Sequence, residues 1–91
     1  MRLDLFLKRT CILRQRSAAR EACDAGAVRV NGLPAKAGHT VRTGDRVTLH
    51  LARREVEIRI LEVPAGNTPK RDARRYVEIL RDELRSPDDF L

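Results

Sequence analysis

The stretch GAVRVNG at residues 26–32 decides how the first third of this chain folds. Gly26 suits the left-handed position that follows the last turn of a helix. Residues 28–30 alternate apolar, charged and apolar side chains, which is typical of a half-buried strand. Asn31 and Gly32 adopt positive φ angles at low cost and favour a tight hairpin turn. The stretch therefore predicts a helix end, a short strand and a hairpin turn in succession.

Two short helices are predicted before this strand. The run from Ser17 to Ala25 is rich in alanine and puts small side chains on one side, so it predicts a helix that packs closely on a neighbour. Residues 3–9 have apolar side chains at helical spacing, with the anionic Asp4 in the first turn, where the helix dipole favours it. The apolar positions of the two helices are Leu3, Phe6, Leu7, Ala19, Ala22 and Cys23.

Downstream of Gly32, the sequence predicts a turn at Gly44-Asp45 and then a β-hairpin. Alternating apolar residues on both sides of an Arg53-Arg54 turn indicate two half-buried antiparallel strands; they are Val47, Leu49, Leu51, Val56, Ile58 and Ile60. Residues 64–69 are expected to form a loop. Residues 69–85 are expected to form the longest helix, because their apolar residues are spaced for one helical face: Ala73, Tyr76, Val77, Leu80 and Leu84.

The expected fold is therefore α+β, with two N-terminal helices packed on a small antiparallel or mixed sheet and a C-terminal amphipathic helix. We expect one folded unit over residues 1–63, with a loop and the C-terminal helix at residues 64–91 packed on it. The chain has 91 residues and a mass of 10.4 kDa. A chain of this length forms one small domain, which excludes a multidomain enzyme.

The positive charge of the chain is concentrated near its N-terminus. The formal net charge is +6 and the isoelectric point is about 10.3, which indicates a polyanionic partner, with nucleic acid as the first candidate. The first 36 residues contain eight basic and three acidic residues, a balance of +5. We therefore expect the RNA contacts among these eight basic residues: Arg2, Lys8, Arg9, Arg14, Arg16, Arg20, Arg29 and Lys36.

Other kinds of site have little support in the sequence. The three aromatic residues are too few for a platform that stacks unpaired bases, so structured RNA fits better than single strands, and DNA stays open. Cys11 and Cys23 are expected to be reduced thiols. Neither combines with His39 or His50 in a catalytic or metal-binding pattern, so we expect no enzyme activity, no metal and no cofactor.

Neither a membrane-spanning run nor a signal peptide occurs, which indicates a cytoplasmic protein.

The N-terminal motifs resemble the RNA-binding domain named after small-subunit ribosomal protein S-four. In that family, two helices and a small twisted sheet form an L-shaped surface that grips structured RNA. The resemblance implies that residues 1–63 are an RNA-binding domain of this type. It also implies that Arg2 and Arg16 are the main RNA contacts, with Arg20 and Lys8 beside them. Gln15 stands where the family commonly has a serine that caps the second helix. The matching residues are Arg2-Leu3-Asp4, Leu7, Arg16, Ala19-Arg20, the stretch 26–32 and Val41-Arg42-Thr43-Gly44-Asp45.

Nearly the whole chain is similar to small ribosome-associated proteins, which comprise a heat-shock member and a bacterial quality-control factor called P. This similarity implies binding to obstructed large ribosomal subunits, through rRNA and peptidyl-tRNA, with a tailing factor as a further partner on the same subunit. The chain has no long basic tail after its last predicted helix, and in this respect it is more similar to factor P, which supports C-terminal tailing of stalled chains. Two alternatives stay open: a heat-shock type factor that recycles large subunits, and an accessory module of an RNA-modifying enzyme.

Overall fold

The computed structural model describes residues 1–64 and 75–84 of the chain. Two helices come first, α1 over Leu3–Arg9 and α2 over Arg16–Asp24. Five strands follow and form one sheet, in the order β2-β1-β3-β4-β5, in which every neighbouring pair is antiparallel. The strands are β1 over Val28–Val30, β2 over Leu33–Pro34, β3 over Arg46–His50, β4 over Arg54–Ile60 and β5 over Val77–Leu84.

The two predicted helices are confirmed, as is the turn chemistry around β1. Helix α1 has the predicted bounds, and α2 begins and ends one residue earlier than predicted. Gln15 is the N-cap of α2 and its side chain makes no capping hydrogen bond to the helix backbone. Gly26 has a φ of +76°, and Asn31 and Gly32 have φ angles of +53° and +84°. Two successive positive φ angles are those of the type I′ hairpin turn that joins β1 to β2.

The predicted hairpin is also confirmed, and it forms the centre of the sheet. Val47 lies opposite Ile58, and Leu49 lies opposite Val56. All four side chains are buried. The turn lies at residues 51–53, so Arg54, which was predicted to be in the turn, is the first residue of β4.

The predicted C-terminal helix is wrong for residues 77–84, which form β5 at the edge of the sheet. The rest of that prediction, residues 69–74 and 85, lies outside the described residues, as does most of the predicted loop. Leu80 is an extra residue, because Ile79 lies opposite Ile58 while Arg81 lies opposite Glu57. Such a bulge interrupts the alternation of apolar residues along the strand. The interrupted pattern has the spacing of one helical face, which explains why a helix was predicted.

Both helices pack on one face of the sheet, called here the inner face. The core is aliphatic apart from Phe6 and Cys23, and it includes Leu3 and Leu7 of α1, Ala19 of α2 and the inward residues of β1, β3 and β4. Tyr76, expected in the core, is only partly buried. Within residues 1–64 and 75–84, neither helix is long and apolar enough to span a bilayer.

Candidate RNA-binding surface

The backbone around Arg2 is fixed by a loop that lies far away in sequence. Residues 1–4 are joined to residues 37–41 by three backbone hydrogen bonds of 2.8, 3.0 and 3.1 Å, and Arg2 forms an antiparallel bridge with Thr40. The Arg2 guanidinium lies over Gly38, where a Cβ would be 3.7 Å from its terminal nitrogen. Arg2 is therefore held at the start of α1, on a segment with little freedom to move.

A buried carboxylate joins Arg2 to Arg16. The Asp4 side chain is fully buried, and its Oδ2 accepts a hydrogen bond of 3.1 Å from Arg16 Nε. Its Oδ1 accepts one of 3.3 Å from Arg2 Nε and one of 2.8 Å from the Leu5 backbone amide. We call Asp4, Arg2 and Arg16 the Asp4 fork. It brings together the two arginines that the sequence predicted to be the main RNA contacts.

The fork leaves both arginine side chains partly exposed. Arg2 and Arg16 are 51% and 46% exposed, and both reach Asp4 through Nε. Among the described residues, the hydrogen bonds that join these two arginines to Asp4 are made by Nε and by no terminal nitrogen. A planar guanidinium with free terminal nitrogens can bind two phosphate oxygens at once. The fork therefore presents two oriented cations that suit an RNA backbone.

The charge state of Asp4 follows from its surroundings. Burial by itself raises the pKa of Asp4, but hydrogen bonds from Arg16 and the Leu5 amide, together with the charges of Arg16 and Arg2, lower it below its usual value of 3.8. Opposite charges and hydrogen bonds to the charged form favour ionisation. Asp4 is therefore an anion at neutral pH, and it stabilises two cations beside each other that would otherwise repel.

The structure places most of the other predicted contacts on or next to the helices. Arg20 lies one turn after Arg16 on α2 and is exposed, while Lys8 and Arg9 form the last turn of α1. Arg14, in the connection between the helices, is exposed, as is Lys36, in the loop after β2.

Arg29 is separated from these residues. It lies between the buried Val28 and Val30 on β1, so its side chain points away from the core and the helices. Side chains alternate between the two faces of a strand, so the sequence pattern of β1 already predicted that Arg29 points away from the core.

Asp4 itself was missed as a functional residue, because its helical position alone suggested only an interaction with the helix dipole. Its short distance in sequence from Arg2 was a signal for an ion pair. Arg16 is twelve residues away from Asp4, so that contact depends on how α1 and α2 pack. The loop that holds Arg2 was also missed.

The two cysteines lie in different surroundings. Cys11 is exposed, with a φ of +59°, and Cys23 is buried against the core. Burial, with the nearby charges of Asp4 and Asp24, raises the pKa of the Cys23 thiol to about 11. A thiol that stays protonated at neutral pH is a weak nucleophile.

Replacing Cys11 by serine and Cys23 by alanine is expected to leave RNA binding intact. Neither side chain belongs to the Asp4 fork, and the loss of buried volume at Cys23 is expected to cost about 1 kcal/mol of unfolding free energy. The check is RNA affinity together with a circular-dichroism melt. Loss of binding by a folded double variant would show that a thiol takes part.

Comparison with known proteins supports the family that the sequence motifs suggested. The S4 domain family matches residues 1–47, which contain both helices, the Asp4 fork and the loop that holds Arg2. The solved structure of Heat Shock Protein 15 from Vibrio cholerae, described as trimeric, superposes with a TM-score of 0.79 at 28% identity. The superposition covers 87% of this chain and 80% of that one.

Relatives of similar length carry one shared name. The RQC P-site tRNA stabilizing factor of Helicobacter pylori strain 26695 is 38% identical over 78 residues, which are 85% of this chain and 93% of the relative. The protein of that name from Bacillus subtilis is 35% identical over 83 residues, which are 91% and 95% of the two chains. The chain therefore belongs to the S4-domain family, among the relatives of the RQC P-site tRNA stabilizing factors.

Proposed function

We propose that this protein is a non-enzymatic RNA-binding factor that binds obstructed large ribosomal subunits at rRNA and peptidyl-tRNA. In this role it supports ribosome-associated quality control, in which stalled nascent chains receive C-terminal tails. The observation that carries the proposal is the Asp4 fork, which holds Arg2 and Arg16 side by side with about half of each side chain exposed. The names of the relatives, which refer to a P-site tRNA, support the choice of tRNA as a ligand.

The proposal assigns the chemistry to binding alone. Two oriented guanidinium groups recognise the backbone of a folded RNA, and basic residues on α1 and α2 add phosphate contacts around them. No cofactor or metal takes part. The protein acts in the cytoplasm, and a tailing factor on the same subunit is its protein partner.

A second candidate function is favoured by the similarity to Heat Shock Protein 15. In that case the protein recycles large subunits that carry nascent chains, without tailing. The two functions share the RNA surface, so they are separated by activity rather than by affinity. Deletion of the gene should abolish C-terminal tails on a stalled reporter if the first function is right. Intact tails with accumulation of obstructed large subunits would favour the second.

Binding to large subunits or tRNA is expected to weaken steeply with salt. Each arginine contact with a phosphate releases counterions, and about four to six contacts give a log–log slope of about 3 to 5 between association constant and salt concentration. The measurement is co-sedimentation with purified large subunits across a salt titration. A slope near zero would contradict a mode of binding centred on phosphates.

A further inference from the structure

The outer face of the sheet, which points away from the helices, has its charges separated into two regions. At the end near the β3–β4 turn, each carboxylate lies beside a basic group. Glu55 is 2.8 Å from His50 Nδ1 and 3.3 Å from Arg81, and Arg81 is also 3.0 Å from Glu83. At this end two carboxylates and one arginine are in contact with one another, so it has no surplus of positive charge to bind a polyanion.

The opposite end of the outer face concentrates arginines. Arg46 on β3 lies directly opposite Arg59 on β4. Arg29 on β1 lies opposite Thr48, two residues from Arg46 on β3, and so is diagonal to Arg46. Like charges directly opposite each other on antiparallel strands destabilise a sheet. Because the pairing of Arg46 with Arg59 does not stabilise the sheet, we looked for a role of these arginines in binding.

Carboxylates neutralise this corner only in part. Glu57 Oε1 is 3.3 Å from Arg46 Nε, and the Arg46 side chain is still 52% exposed. Glu78 lies opposite Arg59 on β5, but Arg59 has no ion pair within 4.0 Å in the described residues, and neither has Arg29. Two of the three guanidinium groups therefore have no close ion pair, although Glu78 lies across the strand pair from Arg59.

A shallow concavity of about 480 Å³ lies at this corner. Arg46 and Arg59 line it with the Thr48 hydroxyl and Glu57, and the turns at Gly32 and Gly44 border it. A Cβ added at either glycine would meet no atom within 4 Å, so the rim is open. The lining is polar, and its cationic groups are all arginines, the side chain best suited to bind phosphate in a bidentate manner.

We infer that Arg29, Arg46 and Arg59 form a second phosphate-binding site, which takes the backbone of a second RNA segment. The sheet separates this corner from the Asp4 fork, so the protein joins two RNA segments that lie on its opposite faces. The inference also gives Arg29 a role, since its position excludes it from the helical surface. It rests on the proposed function only in choosing RNA as the polyanion.

The test uses the whole ¹⁵N-labelled protein and a short blunt RNA duplex, followed by NMR. We expect resonance shifts at the Gly32 and Gly44 amides and at the Arg59 Nε, in addition to those at the Asp4 fork. The Arg16→Ala variant should keep the shifts at Gly32 and Gly44, because that site does not depend on the fork.

The matched variant is Arg29→Gln combined with Arg59→Gln. It should lose the shifts at the corner and lower the log–log salt slope of duplex binding by about 1 for each phosphate contact removed. Arg53→Gln, in the β3–β4 turn, removes the same charge per residue away from the corner and should keep the wild-type slope. The Arg59→Gln change removes the repulsion between Arg59 and Arg46. The melting temperature of the double variant should therefore equal or exceed that of the wild type.

Two results would overturn the inference. One is the absence of shifts at Gly32, Gly44 and Arg59 when the duplex saturates the fork. The other is a wild-type salt slope in the folded double variant. A failure of the proposed ribosomal function has a different signature: the wild type would not sediment with large subunits, while the corner would still respond to the duplex and the second site would stand.

Discussion

Replacing Arg16 by alanine is expected to abolish association with large ribosomal subunits while the protein stays folded. The change removes one of two oriented guanidinium groups and leaves Asp4 with only Arg2 and the Leu5 amide as donors. Loss of one charged hydrogen bond to Asp4 costs about 1 to 3 kcal/mol, less than the stability of a typical small domain. Arg2→Ala should have nearly the same effect. The measurement is co-sedimentation of each variant with large subunits, alongside its thermal melt.

The control is Arg53→Ala, which removes an equal charge from an exposed position in the β3–β4 turn. This variant should sediment with large subunits like the wild type. If Arg16→Ala instead sediments like the wild type and Arg53→Ala does not, the RNA surface lies on the sheet hairpin and the account of the fork is wrong.

Asp4→Asn is expected to weaken RNA binding although Asp4 is buried and has no access to RNA. The amide keeps an acceptor oxygen but loses the charge that holds two guanidinium groups together. Arg2 and Arg16 then repel each other and lose their fixed orientation. Replacing hydrogen bonds between charged groups by neutral ones should also cost about 1 to 3 kcal/mol of unfolding free energy. Asp24→Asn is the matched control, since it removes the same charge from an exposed position at the end of α2.

Binding affinity and stability should both fall in Asp4→Asn and stay near wild type in Asp24→Asn. A folded Asp4→Asn variant with wild-type affinity would show that the arginines orient themselves without the carboxylate.

The unfolding free energy of the wild type should depend on pH through the ionisation of Asp4. The pKa of Asp4 is lower in the folded protein than its ordinary value of 3.8, so its contribution is complete above about pH 4. That contribution is lost as the pH falls through the folded-state pKa. The difference in unfolding free energy between wild type and Asp4→Asn should therefore shrink on acidification below pH 4. Denaturant titrations of both proteins at several pH values provide the check, and a constant difference would contradict this role of Asp4.

Local patterns were enough to predict the part of the fold that depends on neighbouring residues. Helix α1, the turn at Asn31 and Gly32, and the alternation of β3 and β4 each follow from the conformational preferences of a few consecutive residues. β5 could not be predicted in this way. Its strand conformation depends on the free edge of β4, and the extra residue Leu80 disguises its alternation.

Parts of the candidate site could also be predicted from local sequence, and parts depended on how distant residues pack. Charge and motif pointed to Arg2 and Arg16, because the identity of a cation is visible in the sequence. The carboxylate between them depends on the packing of α1 against α2, which brings together residues twelve positions apart. The face occupied by Arg29 could have been predicted from the alternation in β1, whereas its proximity to Arg46 and Arg59 required the order of the strands.

The most direct test of the central claim is a cryo-EM map of large ribosomal subunits purified with this protein from cells. The account predicts that the protein lies between rRNA and a tRNA, with the Arg2 and Arg16 guanidinium groups against RNA phosphates and Asp4 between them. A map in which the Asp4 fork faces solvent, while another surface of the protein contacts the RNA, would contradict it.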